Sequence, residues 1–154
     1  MSSKLQPVFC PVSQEDIRTV CDMMEDFYAI DHYPFVPERT MINLSIFVNN
    51  ENLGRLWMIL LAEEIVGYVV LTFGFSFEFG GRDAFLDELY LKEAHRNQGI
   101  GTQTLKFIAK QAGILGIKAL HLEVEHHNEK GKAIYGKSGY KAHNRILMTR
   151  MVEA

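Results

Sequence analysis

Phe85-Leu86-Asp87-Glu88-Leu89-Tyr90-Leu91, then Lys92 to Arg96, then Asn97-Gln98-Gly99-Ile100-Gly101, is the stretch on which the reading of the chain turns. The first seven residues are mostly apolar or aromatic and give way to polar ones, which reads as a strand. Lys92 to Arg96 is a short polar loop, and two glycines close the turn. A helix follows. Ile100, Leu105, Ile108 and Ala109 recur near helical spacing, with Gln103, Lys106, Lys110 and Gln111 on the other face. The start of a helix carries unbonded N–H groups and a partial positive charge. Glycines just before it let a ligand approach the main chain. With Arg96 the segment makes an anion site suited to a phosphate or pyrophosphate.

Two better-known glycine motifs fail here. A dinucleotide fingerprint needs a third glycine where this chain has Thr104. A nucleotide-hydrolase phosphate loop needs Gly-Lys-Ser/Thr, and Gly101 is followed by Thr102 without a lysine. The plain alternative is an ordinary strand-to-helix turn.

Outward from this stretch, composition sets bounds. A chain of 154 residues, 47% apolar, suits one domain with a real core, spanning 1–154. Its apolar runs, such as Leu56 to Ala62, are too short to span a bilayer. Met1 to Gln6 lacks the charged start and apolar core of a secretory signal. Cys10 and Cys21, without metal-ligand spacing, read as free thiols of a reducing compartment, so a cytoplasmic protein is expected. A net charge of −3 argues against general nucleic-acid binding. Residues 1–80 hold eleven acidic and four basic side chains, whereas residues 81–154 hold eight and twelve. Either these are solvated faces, or the second half meets an anionic cofactor and the first a cationic substrate.

Leu5 to Val12 reads as a first strand. Ser13 and Asp16 form a capping-box-like start for a helix over Gln14 to Ala29, with Ile17, Val20, Met24 and Phe27 as its apolar stripe. Pro34 and Pro37 break the chain before a second helix over Glu38 to Val48. Leu56 to Ala62 and Ile65 to Phe73 form a hairpin about Glu63-Glu64. Phe75, Phe77 and Phe79 alternate with polar residues, as in a strand. After the helix at 100–113, Lys118 to Glu125 alternates as a strand, and Glu129 to Lys137 is a last helix. Tyr140 to Met151 returns as one or two strands.

Arg96-Asn97-Gln98-Gly99-Ile100-Gly101 resembles the Arg/Gln-x-x-Gly-x-Gly/Ala signature of the GCN5-related N-acetyltransferases, the GNAT superfamily. Asn128, followed by Ala133-Ile134-Tyr135-Gly136-Lys137-Ser138-Gly139-Tyr140, is similar to the family's second signature, with Gly131 in place of an alanine and Tyr140 in place of a phenylalanine. The resemblance runs from about Trp57 to the end. It implies an α/β (α+β) fold, with a mixed, mostly antiparallel central sheet flanked by helices. It also implies acetyl-CoA as co-substrate, no metal, and frequently a homodimer. The histidines His121, His126 and His127 lie near Glu123 and Glu125, but no His-x₃-His or cysteine pattern marks a metal site.

Acetyl transfer to an amine requires that the amine lose a proton, that the oxyanion be stabilised, that the thiolate be protonated, and that the carrier be held. On the resemblance, Tyr135 sits beside the cofactor sulfur. A phenol with a pKa near ~10 can donate there, although a half-buried helix tyrosine is the plain alternative. Asn128 would contact the pantetheine arm, or simply cap its helix. Leu89, Tyr90 and Leu91 would pair with the pantetheine amides as an added strand, and a backbone N–H near Leu89 or Tyr90 would face the oxyanion. Arg96 with Asn97, Gln98, Gly99, Ile100, Gly101 and Thr102 would hold the pyrophosphate. Lys132 and Lys137 would meet the adenosine 3′-phosphate, or form an exposed basic helix face.

The base stays open between two residues. Asp87 and Glu88 are adjacent, so a regular strand turns them to opposite faces unless a bulge re-aims them. Glu88 is favoured, with Asp87 close behind, because the spacing is similar to that of the family's diamine acetyltransferases. His126 is a further base or relay. Glu123 on the next strand, and Tyr28 and His32 near the first two helices, are substrate-site candidates. The reading is direct transfer to a primary amine of a small molecule such as a polyamine. A protein or peptide acceptor and a non-catalytic acyl-CoA-binding domain are its alternatives; no nucleic-acid or membrane partner is expected.

Overall fold

The computed structural model describes residues 4–153. Met1 to Ser3 of the leading segment lie outside the described residues. The chain divides into two compact units, Met1–Glu123 and Val124–Ala154.

The first unit is built on a five-stranded sheet in the order β1-β2-β3-β4-β5. Its strands are β1 (Val8–Pro11), β2 (Gly54–Leu61), β3 (Glu64–Ser76), β4 (Gly81–Leu91) and β5 (Ala119–His121). All neighbours are antiparallel except β4 and β5, which run parallel. Its helices are α1 (Ile17–Ile30), α2 (Pro37–Val48) and α3 (Ile100–Ile114). The expected mixed, mostly antiparallel sheet with flanking helices is thus what forms.

Alternation along β2 and β3 sends side chains to two faces. On one face Leu56, Met58, Tyr68 and Val70 are buried with Ile17, Val20, Met23 and Met24 of α1 and Leu44 of α2. On the other, Phe107 of α3 stacks on Phe9 at 4.1 Å between ring centroids and meets Trp57 edge-on at 5.1 Å. Ser13 begins the α1 segment as its sequence predicts: the Asp16 carboxylate accepts from the Ser13 N–H at 2.9 Å and from its hydroxyl at 3.0 Å. A single 3-10 turn, Gln14–Asp16, lies between this cap and α1.

Several sequence expectations change. Phe77 and Phe79 belong to the turn between β3 and β4, not to a strand, because Gly80 and Gly81 reverse the chain there. The strand expected over Lys118 to Glu125 shrinks to Ala119–His121, because β4 and β5 pair only from Asp83↔Ala119 to Phe85↔His121.

In the second unit, α4 (Glu129–Lys137) forms where expected. The Asn128 side chain accepts from the Gly131 N–H at 2.9 Å and caps it. The strands expected over Tyr140 to Met151 are absent among the described residues. Ile146, Leu147, Met148 and Met151 are all largely exposed, and an apolar alternation makes a strand only where a neighbour completes the ladder.

Candidate active site

The site begins with an irregularity in β4. Val70 pairs with Glu88 and Leu71 with Leu86, so Asp87 is an extra residue, a β-bulge. A bulge of one residue reverses the alternation that follows it. Leu86 therefore shares a face with Leu71, while Glu88 joins Val70, Tyr68 and Tyr90 on the face beneath α1 and α2.

There the Glu88 carboxylate accepts two hydrogen bonds. The Tyr28 hydroxyl of α1 donates to Oε2 at 2.8 Å, and the Tyr68 hydroxyl of β3 donates to Oε1 at 2.7 Å. Burial pushes the Glu88 carboxyl above its ordinary range; the two phenols pull it back, and Asp87 pushes it up further. Burial, and then the Glu88 charge, push both phenols upward, so each remains a protonated donor. Asp87 is exposed at the bulge, yet the protein packed about it still pushes its carboxyl up.

Beyond the bulge, no strand pairs with the far edge of β4 among the described residues. The Lys92 N–H bonds the Val66 carbonyl at 2.8 Å. That bond sets the ladder's alternation: Tyr90 pairs its main chain with Tyr68, and Leu89 and Leu91 turn theirs to the far edge. β5 has parted from β4 by then. Of the three residues read for pairing with the carrier, Leu89 and Leu91 offer the open edge. Tyr90 instead faces β3 and packs with Phe27 and Tyr68.

Arg96 spans the end of β4. Its Nε donates to the Leu91 carbonyl at 2.9 Å, and its guanidinium lies 5.8 Å from the Tyr90 ring centroid. Asn97 and Gly99 both adopt positive φ, +63° and +82°, and Gly99 caps α3. The Gln98 side chain donates to the Ala94 carbonyl and braces the turn. The first N–H of α3 to find a partner in its own turn is that of Gln103, bonded to the Gly99 carbonyl. The N–H groups of Ile100, Gly101 and Thr102 open the helix, the arrangement that accepts an anion. Ile100 is buried and anchors the turn. Thr104, where a dinucleotide motif would need glycine, is fully buried and bonds the Ile100 carbonyl at 2.8 Å.

Two residues escaped the sequence reading. Tyr68 shows its role only once the β3–β4 register is known. Lys4 brings its Nζ to 3.6 Å from where a Cβ on Gly99 would stand, a second cation at the turn. The substrate candidates fare unequally: Tyr28 reaches Glu88, whereas His32, at φ +58°, and Glu123 are exposed and, among the described residues, form no hydrogen bond or ion pair with Asp87 or Glu88.

In the second unit, Asn128 caps α4, and the Lys132 ammonium bonds the His126 carbonyl and Glu129 Oε1. The Tyr135 ring meets Tyr140 at 6.1 Å, and burial pushes its phenol upward, which keeps it protonated. Among the described residues, no group of three His, Cys, Asp or Glu side chains could hold a metal, and no helix is long and apolar enough to cross a membrane.

Comparison with known proteins bears on the fold and the family. The uncharacterized N-acetyltransferase YhfO of Bacillus subtilis (strain 168) is 34% identical over 87 residues, covering 54% of this chain and 58% of that protein. The thialysine N-epsilon-acetyltransferase of Bos taurus is 33% identical over 75 residues, covering 49% and 44%. The chain spans about half the length of the curated relatives it matches. An integron cassette protein from the mobile metagenome of Cole Harbour Salt Marsh superposes with a TM-score of 0.84 at 25% identity, over 95% of this chain and 91% of that one. A predicted acetyltransferase from Clostridium acetobutylicum, crystallised with acetyl-CoA, shares the fold with a TM-score of 0.78 at 16% identity, over 94% and 96%. The model of the acetyltransferase (GNAT) family matches residues 19–140, and with most of the chain covered by that match, the protein belongs to this family.

Proposed function

We propose that the protein is an acetyl-CoA-dependent N-acetyltransferase that moves the acetyl group directly to a primary amine of a small molecule. The observation that carries the reading is the β4 bulge. It places the Glu88 carboxylate under α1 and α2 while the strand beyond it opens an edge that runs into the anion-accepting turn. The relative acting on thialysine supports an amino compound as acceptor, and the acidic balance of residues 1–80 supports a cationic one.

Leu89 and Leu91 hold the pantetheine amides along the open edge, and the α3 N-terminus with Arg96 holds the pyrophosphate. Glu88, directly or through water, takes a proton from the ammonium, since only the neutral amine attacks. The Leu89 N–H faces the oxygen that gains charge. Tyr135 gives its proton to the departing sulfur. Asp87 is the second candidate for the base. The free thiols of Cys10 and Cys21 support a reducing compartment, the cytoplasm, and sedimentation tests the homodimer.

The deciding experiment is thiol release from acetyl-CoA across diamines and polyamines, thialysine, amino acids, aminoglycosides and short peptides. Turnover with diamines or thialysine is expected. Turnover with peptides alone makes a protein the acceptor. Silence throughout, with coenzyme A still raising the melting temperature, leaves a binding-only domain.

A further inference from the structure

Glu88 is the one carboxylate of β4 with a phenol on each oxygen, and the phenols come from different elements, α1 and β3. Tyr68 is 0% exposed, and among the described residues its hydroxyl makes no other hydrogen bond than this one. A hydroxyl buried without a partner is costly, so a buried tyrosine normally finds a partner for its hydroxyl. Glu88 is the partner that satisfies it.

We propose that Tyr68 and Tyr28 are positioning residues: together they clamp the Glu88 carboxylate as an anion of fixed orientation, each taking one lone pair and leaving the others for the amine. This rests on the reading of Glu88 as the proton acceptor. The argument is geometric. An unclamped glutamate has free rotation about its last bonds, whereas two donors at 2.7 and 2.8 Å, one on each oxygen, restrain the carboxylate. The clamp also works against the loss of charge. Burial and Asp87 on β4 favour the protonated acid, and only the two phenols oppose them. Tyr90 lies beside Tyr68 on the same face, with Arg96 over it and Asp26 of α1 acting upon it; neither Arg96 nor Asp26 bonds Glu88. Without the phenols the carboxyl keeps its proton to higher pH and cannot accept another from substrate.

The test uses the full chain with Tyr68→Phe, Tyr28→Phe and the double variant, each compared with the parent. Two quantities are read: the Glu88 carboxyl titration by ¹³C NMR, and the acidic limb of kcat/KM against pH. The expected result is an upward move of both by equal amounts, larger in the double variant. For each unit moved, kcat/KM at pH below the limb falls about tenfold, with activity recovered at higher pH. A purely structural tyrosine would lower activity at all pH values alike. An unmoved carboxyl titration overturns the clamp whatever the rates do. A carboxyl that moves while the rate limb stays still overturns the catalytic purpose of the clamp and shows that the base is not Glu88. Tyr28 is only half-buried, so Tyr28→Phe gives a readout even if Tyr68→Phe fails to fold.

Discussion

At the scale of single residues, Glu88 as the proposed base should set both rate and pH response. Replacement by Gln keeps the volume and removes the base, and kcat/KM is expected to fall about 10²–10⁴-fold in the thiol-release assay. The same carboxyl marks stability. Its folded value is raised above its ordinary 4.5, so between the two values the folded chain binds more protons than the unfolded one, and stability falls as pH rises through that window. Below both values this contribution is flat. Denaturant titrations of Glu88→Gln should lose that slope, and an unchanged slope would assign it to Asp87, whose carboxyl is also raised. Tyr28 could be picked out from its place among aromatic residues near the first helices. Tyr68 could not, because nothing near it in sequence points to an acidic partner twenty residues away.

At the scale of elements, the sequence was most legible where chemistry is local. The glycine turn, α3 and α4 announced themselves through apolar spacing, caps and glycines. The bulge at Asp87 was foreseen only as a condition, because a bulge is a property of two strands and a single strand's pattern cannot show its register. The short β5 and the strandless tail after Tyr140 were misread for the same reason: alternation records which residues suit a strand, not whether a partner arrives. The turn before α3 has its own prediction. Gly99 sits at φ +82°, so Gly99→Ala should cost about 1–3 kcal/mol of stability from backbone strain. It should also weaken coenzyme A binding in calorimetry more than it alters the acceptor's KM. Equal effects on both would argue that the turn does not hold the carrier.

Across the whole molecule, the unequal charge of the two halves of the sequence would act on encounter rather than on chemistry. If the acidic residues before position 81 draw in a cationic acceptor, raising salt from low to physiological strength should raise KM for a diamine more steeply than for a monoamine, which carries half the charge. Parallel salt curves for the two acceptors would remove charge steering from the account and return the imbalance to plain solvated surface.

The parting of β4 from β5 also writes a signature into solvent deuterium uptake. Along one short strand, the amides of Tyr90 and Lys92 are tied to β3, while those of Leu89 and Leu91 turn to the open edge. In the free protein, neighbouring amides should then exchange at alternately slow and fast rates. The thioester carrier, by lying along that edge, should slow the fast ones and erase the alternation, so that the strand itself registers whether the carrier is bound.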